Sequence, residues 1–465
     1  MKSNILDIHN KLKTKEISPI DLVNNAKSIW IKNKSLNSII TPIFPTNLPQ
    51  FDKDNLLSCI LYSLKDNICT KNILTTGGSK FLSTYIPPYD ATCYELLQKA
   101  KATLISKDSL DEFGLGGVGH YCFTGIVKNP CDPTKITGGS SSGSAVNVKL
   151  KMSTFALATD TGDSIRRPAS LVGIVGYKPS YGVISRYGVY PYAPSLDHVG
   201  ILTNYVADCC IVASYLNKKD PKDMTSLELT NSINLQKLQT KNKIKFIVFE
   251  KLLSLLDPQY LNEFNKLLNL LRTNGHEICL CKNLSPINEI NKIYKILSYM
   301  EAYSCYSCLT GLNYGLNVSD DKDNYEQTIL KNRSAGFGNE AKKRFTIGAY
   351  LTRPDKFIDN VQGAYAIKNK IIAWENALYQ NNGDCILMPS VQGPTPSHQQ
   401  PFAKNNYDDW LTIANFTGSP SITIPFTNIN KMPYGITITT KKYDDMNCLN
   451  YAYTVEELLQ RVKNE

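Results

Sequence analysis

The 465-residue chain is predicted to fold as an α/β protein: a large mixed β-sheet core flanked by α-helices on both faces. Two observations predict it. Short apolar runs of buried-strand type alternate with helix-compatible segments, the grammar of a sheet covered by helices. No internal repeat appears, and a chain this long buries well over half of its unfolded surface without a disulfide or metal staple. The parts read as a single domain: N-terminal helices 1–42, a core 55–205, a more polar and variable α/β segment 206–330, and a C-terminal part of the core 331–465.

The elements follow in order. Leu6, Ile8, Leu12 and Ile17 accompany a polar face, and Ser18-Pro19-Ile20-Asp21 opens a second helix with an N-cap serine and proline in the first turn. Residues 43–54 hold two prolines, Pro45 and Pro49, and no periodicity, so they form a loop. Cys59 to Leu64 is a buried-strand run ending at Lys65-Asp66-Asn67; residues 92–101 read as a helix and Ala102 to Ser106 as the next strand. Thr137-Gly-Gly-Ser-Ser-Ser-Gly-Ser-Ala145 is a small-residue loop before a helical run. Phe155 to Ala158 is a strand that leads straight into Asp160-Thr-Gly-Asp-Ser-Ile-Arg166. Further on, Ile244–Val248 is a strand, Asp257-Pro258 opens an amphipathic helix that Asn274-Gly275 closes, and Glu277–Cys281 is another strand.

Composition excludes several classes. Thirteen cysteines are too few and too scattered for a disulfide scaffold. Cys305 and Cys308 form one C-x-x-C, with no second pair to complete a zinc site. No run of 18 or more uncharged apolar residues marks a transmembrane helix, and the start carries neither a signal-peptide core nor an Arg-rich transit helix, which predicts a soluble product. The net charge is +10, with 43 lysines, 8 arginines and 42 asparagines, a Lys/Asn excess that codon bias in an AT-rich genome produces. That charge permits contact with RNA or an acidic partner, but no block of consecutive basic residues marks a nucleic-acid stripe.

Two small-residue loops carry the serines that matter. Gly138-Gly-Ser-Ser-Ser-Gly143 lacks the Gly-Lys-Ser/Thr end of a P-loop and the phase of a dinucleotide-binding loop, which leaves a tight turn or a catalytic loop. In the second loop, Ser164 follows Gly162 where backbone N–H groups can stabilise an oxyanion. A serine needs a base to become a nucleophile. The chain has five histidines: His9 and His276 sit in ordinary helix or turn contexts, and His120, His198 and His398 share no motif with a serine. A lysine can serve instead when burial lowers its pKa, and Lys65 emerges directly from a buried strand.

Taken together, Lys65 in Ser-Leu-Lys-Asp-Asn, the Gly-Gly-Ser-Ser loop and Asp-Thr-Gly-x-Ser-Ile-Arg resemble the amidase signature family in order and spacing. Ser164 lies 24 residues after Ser140 and 99 after Lys65. The resemblance implies the amidase-signature fold, with Ser164 as nucleophile, Ser140 as the bridging serine at a cis peptide bond, and Lys65 as general base. It implies an oxyanion hole from the backbone N–H groups of Thr161, Gly162, Asp163 and Ser164. Asp163 stands where that family has glycine; a carboxylate there opposes an oxyanion unless it points away, and the expectation is that it turns toward Arg166 or Arg167.

Outside these motifs the chain resembles the branch of the family formed by the A subunits of glutamyl-tRNA(Gln) amidotransferases. The similar segments include Pro88–Thr92, Lys107–Phe113, Asn129-Pro130, Gly182–Gly188, Ser195–Asp197, Asp220–Ser226, Glu301–Gly315 and Gly336–Glu340. The resemblance implies that Arg344 grips the α-carboxylate of glutamine and that Asp408, or Asp409 after a one-residue shift, meets its α-ammonium. It implies no cofactor in this chain, with ATP and magnesium at a partner subunit. It also implies a heteromeric complex with a B subunit, a small third subunit, and tRNA(Gln) bound mainly through B. Gly117–Tyr121 departs from the usual polar run, and the segments before Lys65 and after Thr427 are short. A shortened, Lys/Asn-rich chain fits a fungal mitochondrial matrix protein, inferred by resemblance without a recognisable transit peptide. Two rivals stay open: a free-standing amidase on small amides, and a degenerate scaffold whose oxyanion hole Asp163 has spoiled.

Overall fold

The structure, a computed structural model, describes residues 1–282, 287–401 and 410–464. Its strands are β1 (Ile39–Pro42), β2 (Leu61–Lys65), β3 (Thr103–Asp108), β4 (Phe155–Asp160), β5 (Val175–Lys178), β6 (His198–Thr203), β7 (Lys245–Phe249), β8 (Glu277–Cys281), β9 (Cys385–Pro389), β10 (Ser421–Ile429) and β11 (Met432–Thr440). They form one sheet in the order β1-β3-β2-β4-β6-β5-β10-β11-β9-β7-β8. The sheet is mixed, as the alternation of elements implies. Parallel pairs lie among β3, β2 and β4 and among β9, β7 and β8. The centre is antiparallel, from β4 through β6, β5, β10 and β11 to β9.

Both faces are covered, because successive side chains of a strand point to opposite sides. Phe155 and Leu157 of β4 join the largest apolar cluster, whereas Ala156 and Ala158 pack with Ala145, Val148, Ile165 and Ala169 of the helices behind. In β7, Phe246 and Val248 face that same large cluster while Ile247 and Phe249 face another. Strands buried on both sides read as continuous apolar runs, which is why β2 and β4 are legible in the sequence.

Local chemistry sets the element ends. Ser18 accepts from Asp21 N–H while Asp21 accepts from Ser18 N–H, a reciprocal cap ahead of the helix Pro19–Lys32. Asp257 accepts from Gln259 N–H and Pro258 opens the helix Pro258–Thr273. Among the described residues no helix is long and apolar enough to cross a membrane, and no cluster of three or more His, Cys, Asp or Glu could hold a metal. Cys305 and Cys308 are free thiols.

Candidate active site

The parallel pairing of β2 with β4 brings the ends of both strands to one edge of the sheet. Leu64 lies opposite Leu157, so Lys65 ends its strand beside the last residues of β4 and the loop that follows. The carboxyl edge of parallel strands is where α/β proteins build their sites. A second loop reaches this edge through a cis Gly139–Ser140 peptide bond. Gly139 has no room for a side chain: a Cβ there would sit 2.3 Å from Asp111 Oδ2. Asp111 in turn accepts hydrogen bonds from the N–H groups of Val118, Gly119 and Tyr121. The Gly117–Tyr121 segment thus supports the Ser140 loop from behind.

Lys65 is fully buried, and its Nζ lies 2.7 Å from Ser140 Oγ, 3.0 Å from Ser141 Oγ and 2.9 Å from Thr159 Oγ1. Burial pulls its pKa down from 10.5 to about 7, against the opposing pull of Asp111, Asp160 and Asp197. The partners fix how a neutral amine sits. Ser141 donates its hydroxyl proton to Thr159 O at 3.0 Å and so accepts from Lys65. Thr159 Oγ1 accepts from Lys65 and also from Asn67 Nδ2. With two N–H bonds used this way, the remaining lone pair faces Ser140 Oγ.

The loop after β4 is folded by Asp160. Its Oδ2 accepts from the Ile165 N–H and Arg166 Nε, and its Oδ1 accepts from Arg166 Nη2 and Asn415 Nδ2. Burial alone would raise its pKa, but Arg166 holds the carboxyl well below the usual range. Arg166 also donates to Gly162 O and Leu411 O, so its guanidinium ties the loop to the C-terminal part of the chain. The loop is joined to the other one by a hydrogen bond from Ser141 N–H to Ser164 O. The N–H groups of Gly162, Asp163 and Ser164 have no acceptor among the described residues. Buried N–H groups are almost always paired, so three in succession beside a serine form a site for an anion. Asp163 turns away from them and pairs with Arg167, not with Arg166.

Arg344 lies on the helix Asn339–Leu351 and is largely buried. Its Nε donates to Glu340, its Nη1 to Tyr192 Oη at 2.6 Å, and its guanidinium stacks on Tyr299. Burial by itself would lower its pKa; Tyr192, Tyr299 and Glu340 hold it above the ordinary arginine value. Tyr294 links this cation to the loop: its ring lies 6.5 Å from that of Tyr192, and its hydroxyl packs where a Cβ on Gly162 would sit, 2.9 Å away. Asp408 and Asp409 lie outside the described residues.

Lys65, Ser140, Thr161, Gly162, Asp163 and Ser164 therefore meet at one place, with Arg344 beside them. Ser141, Thr159 and Asp111 are the residues that sequence reasoning missed around the lysine. Ser141 lies inside the Gly-Gly-Ser-Ser motif, and Thr159 immediately precedes the second loop, a position that could have pointed to it. Nothing in the sequence marks Tyr192, Tyr294 or Tyr299. Among the described residues no histidine bonds a serine; His120 Nε2 and His398 Nδ1 instead lie 2.8 Å from each other. A further cavity of about 240 Å³ behind Thr159 and Thr161 is lined by Asn67, Arg186, Tyr190 and His198, but not by Ser164.

The fold and these two loops define a class: an α/β protein with a buried lysine–serine pair and an anion-receptive loop at one sheet edge. The model of the Amidase family matches residues 23–449, and the chain belongs to that family. It is similar to the A subunit of the glutamyl-tRNA(Gln) amidotransferase of Mycoplasma genitalium, 39% identical over 472 residues that cover 98% of this chain and 99% of the relative. The protein of the same name from Orientia tsutsugamushi (strain Boryong) is 33% identical, with 99% and 97% covered. The crystal structure of the glutamyl-tRNA(Gln) amidotransferase A subunit from Thermotoga maritima matches with a TM-score of 0.79 at 26% identity, over 94% of this chain and 91% of that one.

Proposed function

We propose that the chain is the glutamine-hydrolysing subunit of a glutamyl-tRNA(Gln) amidotransferase, releasing ammonia that a partner subunit uses to convert Glu-tRNA(Gln) to Gln-tRNA(Gln). The observation that carries the choice of glutamine is Arg344, a buried guanidinium whose Nη2 has no partner among the described residues. A guanidinium beside the reacting loop suits a substrate carboxylate, whereas an apolar amide gives it no counter-charge. Asp408, or its neighbour Asp409, is assigned the substrate ammonium on the family resemblance.

In this reading Ser164 Oγ attacks the amide carbon while its proton passes to Ser140 Oγ and the proton of Ser140 passes to Lys65 Nζ. The N–H groups of the Thr161–Ser164 loop receive the negative charge that develops on the amide oxygen. The proton on Lys65 returns through Ser140 to the departing nitrogen, ammonia leaves, and an ester remains on Ser164. Water attacks that ester by the same relay and releases glutamate. The pairing of Asp163 with Arg167 supports an active enzyme over a degenerate scaffold.

ATP and magnesium belong, in the same proposal, to the partner B subunit, which also holds most of the tRNA, and a small third subunit completes the complex. Placement in the mitochondrial matrix rests on the Lys/Asn-rich composition alone, while the relatives above are bacterial; cell fractionation tests it. The function is tested by purifying the tagged chain with its partners and measuring tRNA-dependent glutaminase activity. A free-standing amidase would be fully active alone, and a scaffold never active. Either outcome would overturn the proposal.

A further inference from the structure

Asp163 puts a carboxylate into the loop whose N–H groups stand ready for an anion. One Cα–Cα step of about 3.8 Å separates it from Ser164, so every rotamer keeps its charge within about 9 Å of the nucleophile, roughly one screening length in salt. Turning the side chain outward therefore does not remove its field. A counter-charge does. Arg167, one helical turn on, donates Nε to Asp163 Oδ2, and its backbone N–H donates to Asp163 O at 2.8 Å. The arginine is only 3% exposed and lines a small recess with Leu252, Ser390, Gln392, Trp410 and Leu411. Water is largely kept from the pair, and charge pairing is stronger where water is excluded. Arg166 cannot take this role, because its donors go to Asp160, Gly162 O, Leu411 O and Asn415.

We propose that Arg167 is a positioning residue for amide hydrolysis, which cancels the charge of Asp163 and holds it away from the oxyanion loop. This role rests on the function proposed above. Arg167 acts on the loop through Asp163, so its loss should lower kcat and spare the glutamine KM. Part of that loss should also be recovered once Asp163 carries no charge, which a merely structural arginine would not show.

The test is a double-mutant cycle on tRNA-dependent ammonia release by the assembled complex, using Arg167→Met, Asp163→Asn and the pair. Arg167→Met is expected to lower kcat tenfold or more with KM within threefold, and the pair to recover at least threefold of that loss. Arg167→Lys, which keeps the charge, is expected to retain at least a third of kcat. If Arg167→Met does not assemble, Arg167→Gln with its own Asp163→Asn partner is read the same way. A pair as impaired as the single arginine variant, or a single variant with unchanged kcat, would overturn this role alone. An inactive unmodified complex would overturn the proposed function and this role together.

Discussion

Acidification should switch the enzyme off through Lys65. The active form is the neutral amine, and burial brings its pKa down from 10.5 to about 7. One pKa unit corresponds to about 1.4 kcal/mol, so the environment disfavours the ammonium by ~5 kcal/mol. At that pKa, about one-tenth of the enzyme is competent at pH 6, about half at pH 7 and about nine-tenths at pH 8. An unperturbed lysine would leave less than about one molecule in a thousand competent at pH 7. The direction follows from the proton: lowering pH protonates Nζ and occupies the lone pair that faces Ser140. Initial rates of ammonia release at subsaturating glutamine, across pH 5.5 to 9.5, should rise about tenfold per unit below the bend and flatten near neutrality. A rate that kept rising tenfold per unit through pH 9, with no bend near 7, would refute the argument that burial tunes this lysine.

Two further outcomes follow from the same geometry. Arg344→Ala should raise the glutamine KM by about tenfold or more with kcat less affected, and Arg344→Lys should recover little, because a point charge does not reproduce the planar fork. Steady-state kinetics check this, and an unchanged KM would remove Arg344 from the substrate site. Ser140→Ala and Lys65→Ala should each cost orders of magnitude in kcat, and the double variant little more than either, since the relay works as a unit. Additive losses would mean that the two act separately.

Several elements were legible because they are buried on both faces or punctuated by caps. The apolar run before Lys65, the capped start at Ser18 and the Asp257-Pro258 helix opening all fall where the sequence put them. The sheet order was not legible. β5 and β6 lie between β4 and β10, and β9 returns between β11 and β7, so neighbours in space are far apart in sequence and no local pattern encodes their pairing. The site was legible to the extent that small residues and charges cluster at strand ends. Its supports were not: Thr159 is one more residue of a buried strand, and Tyr192, Tyr294 and Tyr299 reach Arg344 from segments with no motif. The partner of Asp163 was legible only as a choice between adjacent arginines, and the commitment of Arg166 to Asp160 decides it.

The central claim is that Ser164 carries the acyl group of glutamine. Mixing the assembled complex with glutamine, quenching in acid within the first turnovers and mapping the peptides by mass spectrometry tests it directly. The expected result is a γ-glutamyl ester on Ser164, absent from the Ser164→Ala complex, which should lose glutamine-dependent amidation yet keep it when an ammonium salt is supplied. A glutamyl adduct on another residue, or glutamine-dependent activity that survives Ser164→Ala, would contradict it.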